Sequence, residues 1–158
     1  MWATRPERDT LKLRYKVKGD TDGMTFPEWG RGGVPSRADG RWRHTCFEAF
    51  LRPSRGPGYY EFNFATSIQW AAYHFDGPRS GMSEAPEVEL RLLGVASERT
   101  GFSVQARVRG LPKGRWRLGL AAVIETAEGL SYWALKHPPG KPDFHHSDCF
   151  VLELPCPP

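Results

Sequence analysis

The stretch from Trp133 to Cys149 (Trp-Ala-Leu-Lys-His-Pro-Pro-Gly-Lys-Pro-Asp-Phe-His-His-Ser-Asp-Cys) holds the densest set of reactive side chains in this sequence. His137, Lys141, Asp143, His145, His146 and Asp148 stand in it among three prolines. Proline fixes φ and removes a donor, so such a loop can keep one shape without regular hydrogen bonding. Consecutive residues on extended chain point to opposite sides, so His145 and His146 would not share one metal ion. His137, one member of the pair and Asp148 would make a conceivable ligand set, but their spacing matches no zinc pattern, and no metal is expected. The ordinary role of such histidines is to pair with backbone or carboxylate. An acid–base role for His137, Asp143 and His145 near Glu48 would require all of them to reach one substrate atom.

Glu48 and Glu61 form a second group. Each stands among rings on a segment that reads as a central strand, where an unpaired carboxylate is costly. Each therefore needs a partner, either an arginine such as Arg79 or the hydroxyls of a ligand. Two carboxyl groups flanking a cleft also serve glycoside hydrolysis. An internal ion pair or hydrogen-bonded pair is preferred over catalysis, and ligand binding stands between the two. Of the six tryptophans, Trp42, Trp70 and Trp133 fall at strand or loop ends, where an indole can stack on a sugar ring. Core filling is the plainer role for Trp70 and Trp116, whereas Trp42, between Arg41 and Arg43, suits a surface platform.

Other chemistries leave no trace. There is no GxSxG, and Ser and His show no triad arrangement. Gly30-Arg-Gly-Gly is not followed by a helical pattern, so neither a P-loop nor a dinucleotide fingerprint is present. Cys46 reads as a small buried hydrophobe. Three cysteines without a CxxC pair argue against a disulfide framework and exclude an all-thiolate zinc site. The net charge is +4, with 22 cations against 18 anions. Arg-Trp-Arg occurs at 41–43 and 115–117, but the cations alternate with acids, so no nucleic-acid partner is expected. The longest apolar stretch, 118–124, is far short of the ~18 residues of a membrane span, and the first residues lack a signal-peptide core. A soluble cytoplasmic protein with reduced thiols and no membrane partner is the expectation.

The elements that position these residues follow from composition and alternation. In 158 residues there are 17 Gly and 14 Pro, which disfavour helix, and 20 aromatic rings, which argue against disorder. Period-two patterns mark strands at 11–18, 44–51, 59–64, 69–75, 88–93, 102–108, 116–125, 130–135 and 149–154. On 44–51 the alternation sets His44, Cys46, Glu48 and Phe50 against Thr45, Phe47, Ala49 and Leu51. On 59–64 it sets Tyr59, Glu61 and Asn63 against Tyr60, Phe62 and Phe64. A helix over 67–74 competes with the strand there, because Ala71-Ala72 would suit one. Residues 19–40 read as a long loop, and Ala127-Glu128-Gly129 as a hairpin turn. Short strands joined by Gly/Pro turns predict one all-β domain over residues 1–158, a two-sheet antiparallel β-sandwich or jelly roll.

Several of these strings together resemble the bacterial DOMON-like proteins, a branch of the β-sandwich group that includes the family 9 carbohydrate-binding modules. They are Trp42-Arg-His-Thr-Cys-Phe-Glu-Ala-Phe, Tyr60-Glu-Phe-Asn-Phe, Gln69-Trp-Ala-Ala-Tyr, Arg79-Ser-Gly-Met and His137-Pro-Pro-Gly-Lys-Pro-Asp-Phe-His. The resemblance spans roughly residues 11–154, with Pro78 and Arg41 departing from its pattern. It implies a non-catalytic sandwich that holds a small-molecule ligand on an open sheet face or at its loops. The expected ligand is a carbohydrate or similar polyhydroxylated molecule. The candidate binding residues are Trp42, His44, Glu48, Glu61, Asn63, Arg79, Trp133, His137, Lys141, Asp143, Phe144 and His145. No residue is assigned to catalysis and no cofactor is expected. The resemblance also opens a haem-binding alternative, with axial ligands from His44, His74, His137, His145 or Met82. A protein-interaction domain using exposed strand edges is a further alternative.

Overall fold

The computed structural model describes residues 1–26, 34–98 and 100–158. In chain order the strands are β1 (Trp2–Glu7), β2 (Thr10–Lys18), β3 (Ser36–Arg37), β4 (Cys46–Pro53), β5 (Tyr59–Ala65) and β6 (Gln69–Phe75). They continue with β7 (Ser83–Glu84), β8 (Glu89–Glu98), β9 (Gly101–Arg109), β10 (Trp116–Thr126), β11 (Gly129–Ala134) and β12 (Leu152–Leu154). Two 3-10 turns, Arg41–Arg43 and Ser147–Cys149, complete the elements. The strands form two sheets. The smaller runs β1-β2-β9-β8, and the larger runs β11-β10-β4-β5-β6-β3, with β12 on β10 and β7 on β6. All pairings are antiparallel except the short β3–β6 contact.

The core between the sheets follows from the alternation. Leu11, Leu13 and Tyr15 of β2, Val104, Ala106 and Val108 of β9, and Phe47, Ala49 and Leu51 of β4 share one apolar cluster with Phe62, Phe64, Leu118 and Leu120. Each large apolar side chain buried this way contributes about 1.5–3 kcal/mol relative to exposure. The 69–75 segment is a strand, so pairing with β5 overrides the helical preference of Ala71-Ala72.

The structure departs from the sequence reading in three places. β1 is an added edge strand that carries no apolar alternation and is held by its pairing with β2. Its register shifts between Thr4 and Glu7, around Pro6, which has no N–H to give. The final strand is confined to 152–154, because the His146 ring caps the 3-10 turn at 147–149 by accepting the Asp148 N–H. The 19–40 loop contributes β3 and a bridge from Met24 to Thr126, whereas Gly30-Arg-Gly-Gly lies outside the described residues. No disulfide joins the three cysteines. Among the described residues, no helix is long and apolar enough to cross a membrane.

β10 shares one edge between two partners. β11 pairs with its residues 121–126 and β12 with its residues 116–118. The chain between them, residues 135–151, crosses the outer face of the larger sheet. Phe144 and Phe150 pack there against Phe50, Tyr59, Tyr73 and Phe75 in a second apolar cluster. Gly119 permits this approach, since a Cβ at that position would lie 2.9 Å from the Cys149 carbonyl oxygen.

Candidate functional site

Strand register determines what the outer face of the larger sheet presents. Paired residues lie side by side on one face, so Ala134, Ala121, Glu48, Asn63 and Ala71 form one row across five strands. The next row is Gly119, Phe50, Glu61 and Tyr73. Three alanines around Glu48 and Asn63 leave room above the sheet. Residues 135–151 cover the neighbouring rings, and of this row Glu48 reaches the space left beside them. The result is a cleft of about 440 Å³. Glu48 and Glu61 line it together with Arg79 and His145, and its apolar walls come from Trp42, Phe75, Met82, Val123, Tyr132, Pro142 and Phe144.

Both carboxyl groups are buried, with Glu48 4% and Glu61 5% exposed. Their surroundings differ. Glu61 Oε1 accepts from Asn63 Nδ2 at 2.6 Å, and its Oε2 lies 3.6 Å from His145 Nε2. The Glu48 carboxyl has no hydrogen-bond partner among the described residues. Burial, and next the charge of Glu61, push the Glu48 pKa well above the usual carboxylate range, opposed by Arg79. Burial raises Glu61 too, but the Asn63 hydrogen bond and Arg79 pull it back. Glu61 is thus the member that ionises first as pH rises, and Glu48 is the one that holds its proton longer.

His145 is caged by Phe50, Tyr59 and Phe75, each ring 5.1–5.9 Å from its own. Tyr59 Oη lies 2.7 Å from His145 Nδ1 and accepts the Arg79 N–H at 3.3 Å. In the tautomer whose Nδ1 accepts the phenol proton, Nε2–H faces Glu61. Burial, followed by Arg79, lowers the His145 pKa to about 4, so the ring is neutral near pH 7.

Arg79 stands in a tight turn with Ser80 N–H on the Gly77 carbonyl, at φ 52°. That left-handed conformation costs a side-chain-bearing residue about 1–2 kcal/mol. Arg79 Nε and Nη2 both reach Asp143 Oδ1, at 3.2 and 2.9 Å, and the same oxygen accepts the His145 N–H at 3.2 Å. The pairing with Arg79 and the His145 N–H outweigh burial and hold the Asp143 pKa below its ordinary value. Trp42, in the Arg41–Arg43 turn, meets Tyr73 edge-on at 6.1 Å. The Tyr73 hydroxyl in turn donates to Asp39.

The cleft thus gathers Trp42, Glu48, Glu61, Arg79, Phe144 and His145, with Asn63 and Asp143 directly behind. The other four candidates stand elsewhere. His44 precedes β4 and pairs with Glu125 at 2.8 Å. Trp133 pairs with Ala122 and lines a second cavity of about 380 Å³ opening between the sheets, with Tyr15, Phe47 and Ile124. His137 is exposed, its ring 6.0 Å from Phe144, and Lys141 is exposed. His137, Asp143 and His145 do not converge, since Asp143 is engaged by Arg79 and His137 lies outside the cleft. Sequence reasoning did not place Tyr59, Phe75, Val123, Tyr132 or Pro142 at the site, and it named Met82 only as a haem ligand. Tyr59 was accessible from its alternation with Glu61 and Asn63. Val123 and Tyr132 were accessible from the hairpin turn, which fixes their pairing.

Among the described residues, no three His, Cys, Asp or Glu side chains group as a metal site. Haem does not fit the arrangement. Of its five candidate axial residues, Met82 and His145 line the cleft, and both nitrogens of His145 already face protein partners.

No protein-family model matches the chain, and no curated protein does. The fold is similar to the crystal structure of a "putative carbohydrate-binding protein" from Bacteroides uniformis, with a TM-score of 0.56. That match covers 90% of this chain and 72% of the other at 17% identity, a likeness of fold.

Proposed function

We propose that this chain is a non-catalytic binding domain that holds a carbohydrate or similar polyhydroxylated small molecule in the outer-face cleft. The observation carrying this reading is Glu48, a carboxyl group 4% exposed that has no hydrogen-bond partner among the described residues and lines a ring-walled cleft. A buried polar group without a partner is costly, and a ligand hydroxyl would supply one. Sugars offer what the walls match. Their C–H faces pack on rings such as Trp42 and Tyr132, and their hydroxyls meet Glu48, Glu61 and Arg79. The fold likeness to the Bacteroides uniformis protein supports the same class.

Calorimetric titration with a panel of mono- and disaccharides tests this reading. At least one should bind, and Trp42→Ala should weaken it by about 3- to 10-fold through lost ring contact. A panel with no binder would reject it, as would a binder indifferent to Trp42→Ala.

A further inference from the structure

We propose that the cleft selects, among hydroxylated small molecules, those carrying a protonated amine, such as a free amino sugar, with the ammonium held between Glu48 and Glu61. This rests on the binding role proposed above and names the ligand class for the same site.

The charge balance of the cleft leads to it. Among the described residues, Glu48 and Glu61 in the lining and Asp143 behind it stand against one guanidinium, that of Arg79. Arg79 is already engaged, since Nε and Nη2 both reach Asp143 Oδ1, and its side chain is 62% exposed at the rim. Glu61 is served by two uncharged groups, the Asn63 amide and the His145 ring. No lysine lines the cleft. Among the described residues, the cleft therefore presents one carboxyl with neutral donors and one with none, and no cation lies between them.

A neutral hydroxyl meeting Glu48 would find a protonated acid and form an ordinary hydrogen bond. An ammonium brings three donors and a positive charge, so both carboxyl groups can ionise around it. Charge-assisted hydrogen bonds are roughly twice as strong as neutral ones. The ring faces of Trp42, Phe75, Tyr132 and Phe144 favour a cation as well. An acidic sugar would meet like charge. Proton balance follows from the groups facing Glu48, namely Glu61 from β5, Arg79 from the turn after β6, and His145 with Asp143 from residues 135–151. With His145 neutral and Arg79 paired, a bound ammonium would displace the proton of Glu48 into solvent. Burial and the charge of Glu61 raise the Glu48 pKa, so Glu48 keeps its proton until a cation takes its place.

The test is calorimetry of the full chain with D-glucosamine, N-acetyl-D-glucosamine, D-glucose and D-glucuronate. Each titration is run in two buffers of different ionisation enthalpy. Glucosamine should bind about tenfold more tightly than its N-acetyl form or glucose, and glucuronate most weakly. Its apparent enthalpy should change between buffers, reporting proton release, whereas that of glucose should not. In Glu48→Gln and Glu61→Gln, checked for folding by thermal melts, the amine-to-neutral affinity ratio should fall towards 1. Neutral sugars binding as tightly as glucosamine, or glucosamine binding without proton release, would overturn the inference and leave the binding role standing. If none of the four sugars, nor any other sugar, binds, both fall together.

Discussion

The larger sheet carries two buried faces built by the same strands, and they serve opposite ends. On β4, Phe47, Ala49 and Leu51 turn inward, while Cys46, Glu48 and Phe50 turn outward. Exposure hardly separates them, at 1% for Phe47 and 4% for Glu48. What differs is the cover. A second sheet closes the inner face and pairs apolar rows with apolar rows. The outer face is covered piecemeal by residues 135–151, the 41–43 turn and the segment after β6, which leave a cleft between them. Buried polar groups survive there because the gap above them is small, ring-walled and open to a partner. The second cavity repeats the lesson in reverse. It opens between the sheets among Tyr15, Phe47, Ile124 and Trp133, with no carboxyl group among the described residues of its lining.

The contrast can be broken from either side. Phe64→Ala removes a ring fully buried between the sheets and should cost about 3–5 kcal/mol, destabilising both faces together. A single cooperative melt shifted down by about 6–20 °C would show it. Gly119→Val should cost less, about 2 kcal/mol, because its Cβ meets the Cys149 carbonyl at 2.9 Å and lifts residues 135–151. The sandwich should persist by circular dichroism while that segment becomes open to protease. Equal protection of 135–151 in the variant would show that Gly119 does not govern the cover.

A smaller effect sharpens the polar side. Glu48 has a folded pKa above its unfolded value, so the folded form binds its proton more tightly. Its stability contribution is complete below the unfolded pKa and is lost as pH rises through the folded one. Glu48→Gln removes that loss. The variant should gain on the native chain by about 1 kcal/mol, or about 2–4 °C, at pH 8, with little difference at pH 4. Thermal melts at the two pH values measure it. A variant less stable at pH 8 would mean that Glu48 is ionised and paired.

Much of the fold was legible because period-two alternation survives in β2, β4, β5, β9 and β10. It also placed Glu48 and Phe50 on one face, and Glu61 and Asn63 on another. That these are the same face required the β4–β5 register, with Glu48 opposite Asn63. His145 and Phe144 could not be separated from His137 and Lys141, since a proline-rich crossing has no period to phase its side chains. Trp133 went to the other cavity because its pairing with Ala122 turns it inward. His44 stands two residues before β4 begins, where the alternation of the strand no longer sets its direction. β1 was invisible because an edge strand held by pairing needs little apolar pattern.

The central claim is that ligand enters the outer-face cleft lined by Glu48 and Glu61. Two indoles report on the alternatives, since Trp42 lines that cleft and Trp133 lines the cavity between the sheets. A proton–nitrogen correlation spectrum recorded while titrating D-glucosamine follows both indole N–H signals and the Asn63 side-chain amide. The account predicts saturable shifts at Trp42 and Asn63 with Trp133 unmoved. Shifts at Trp133 alone, or none at any of the three, would contradict it.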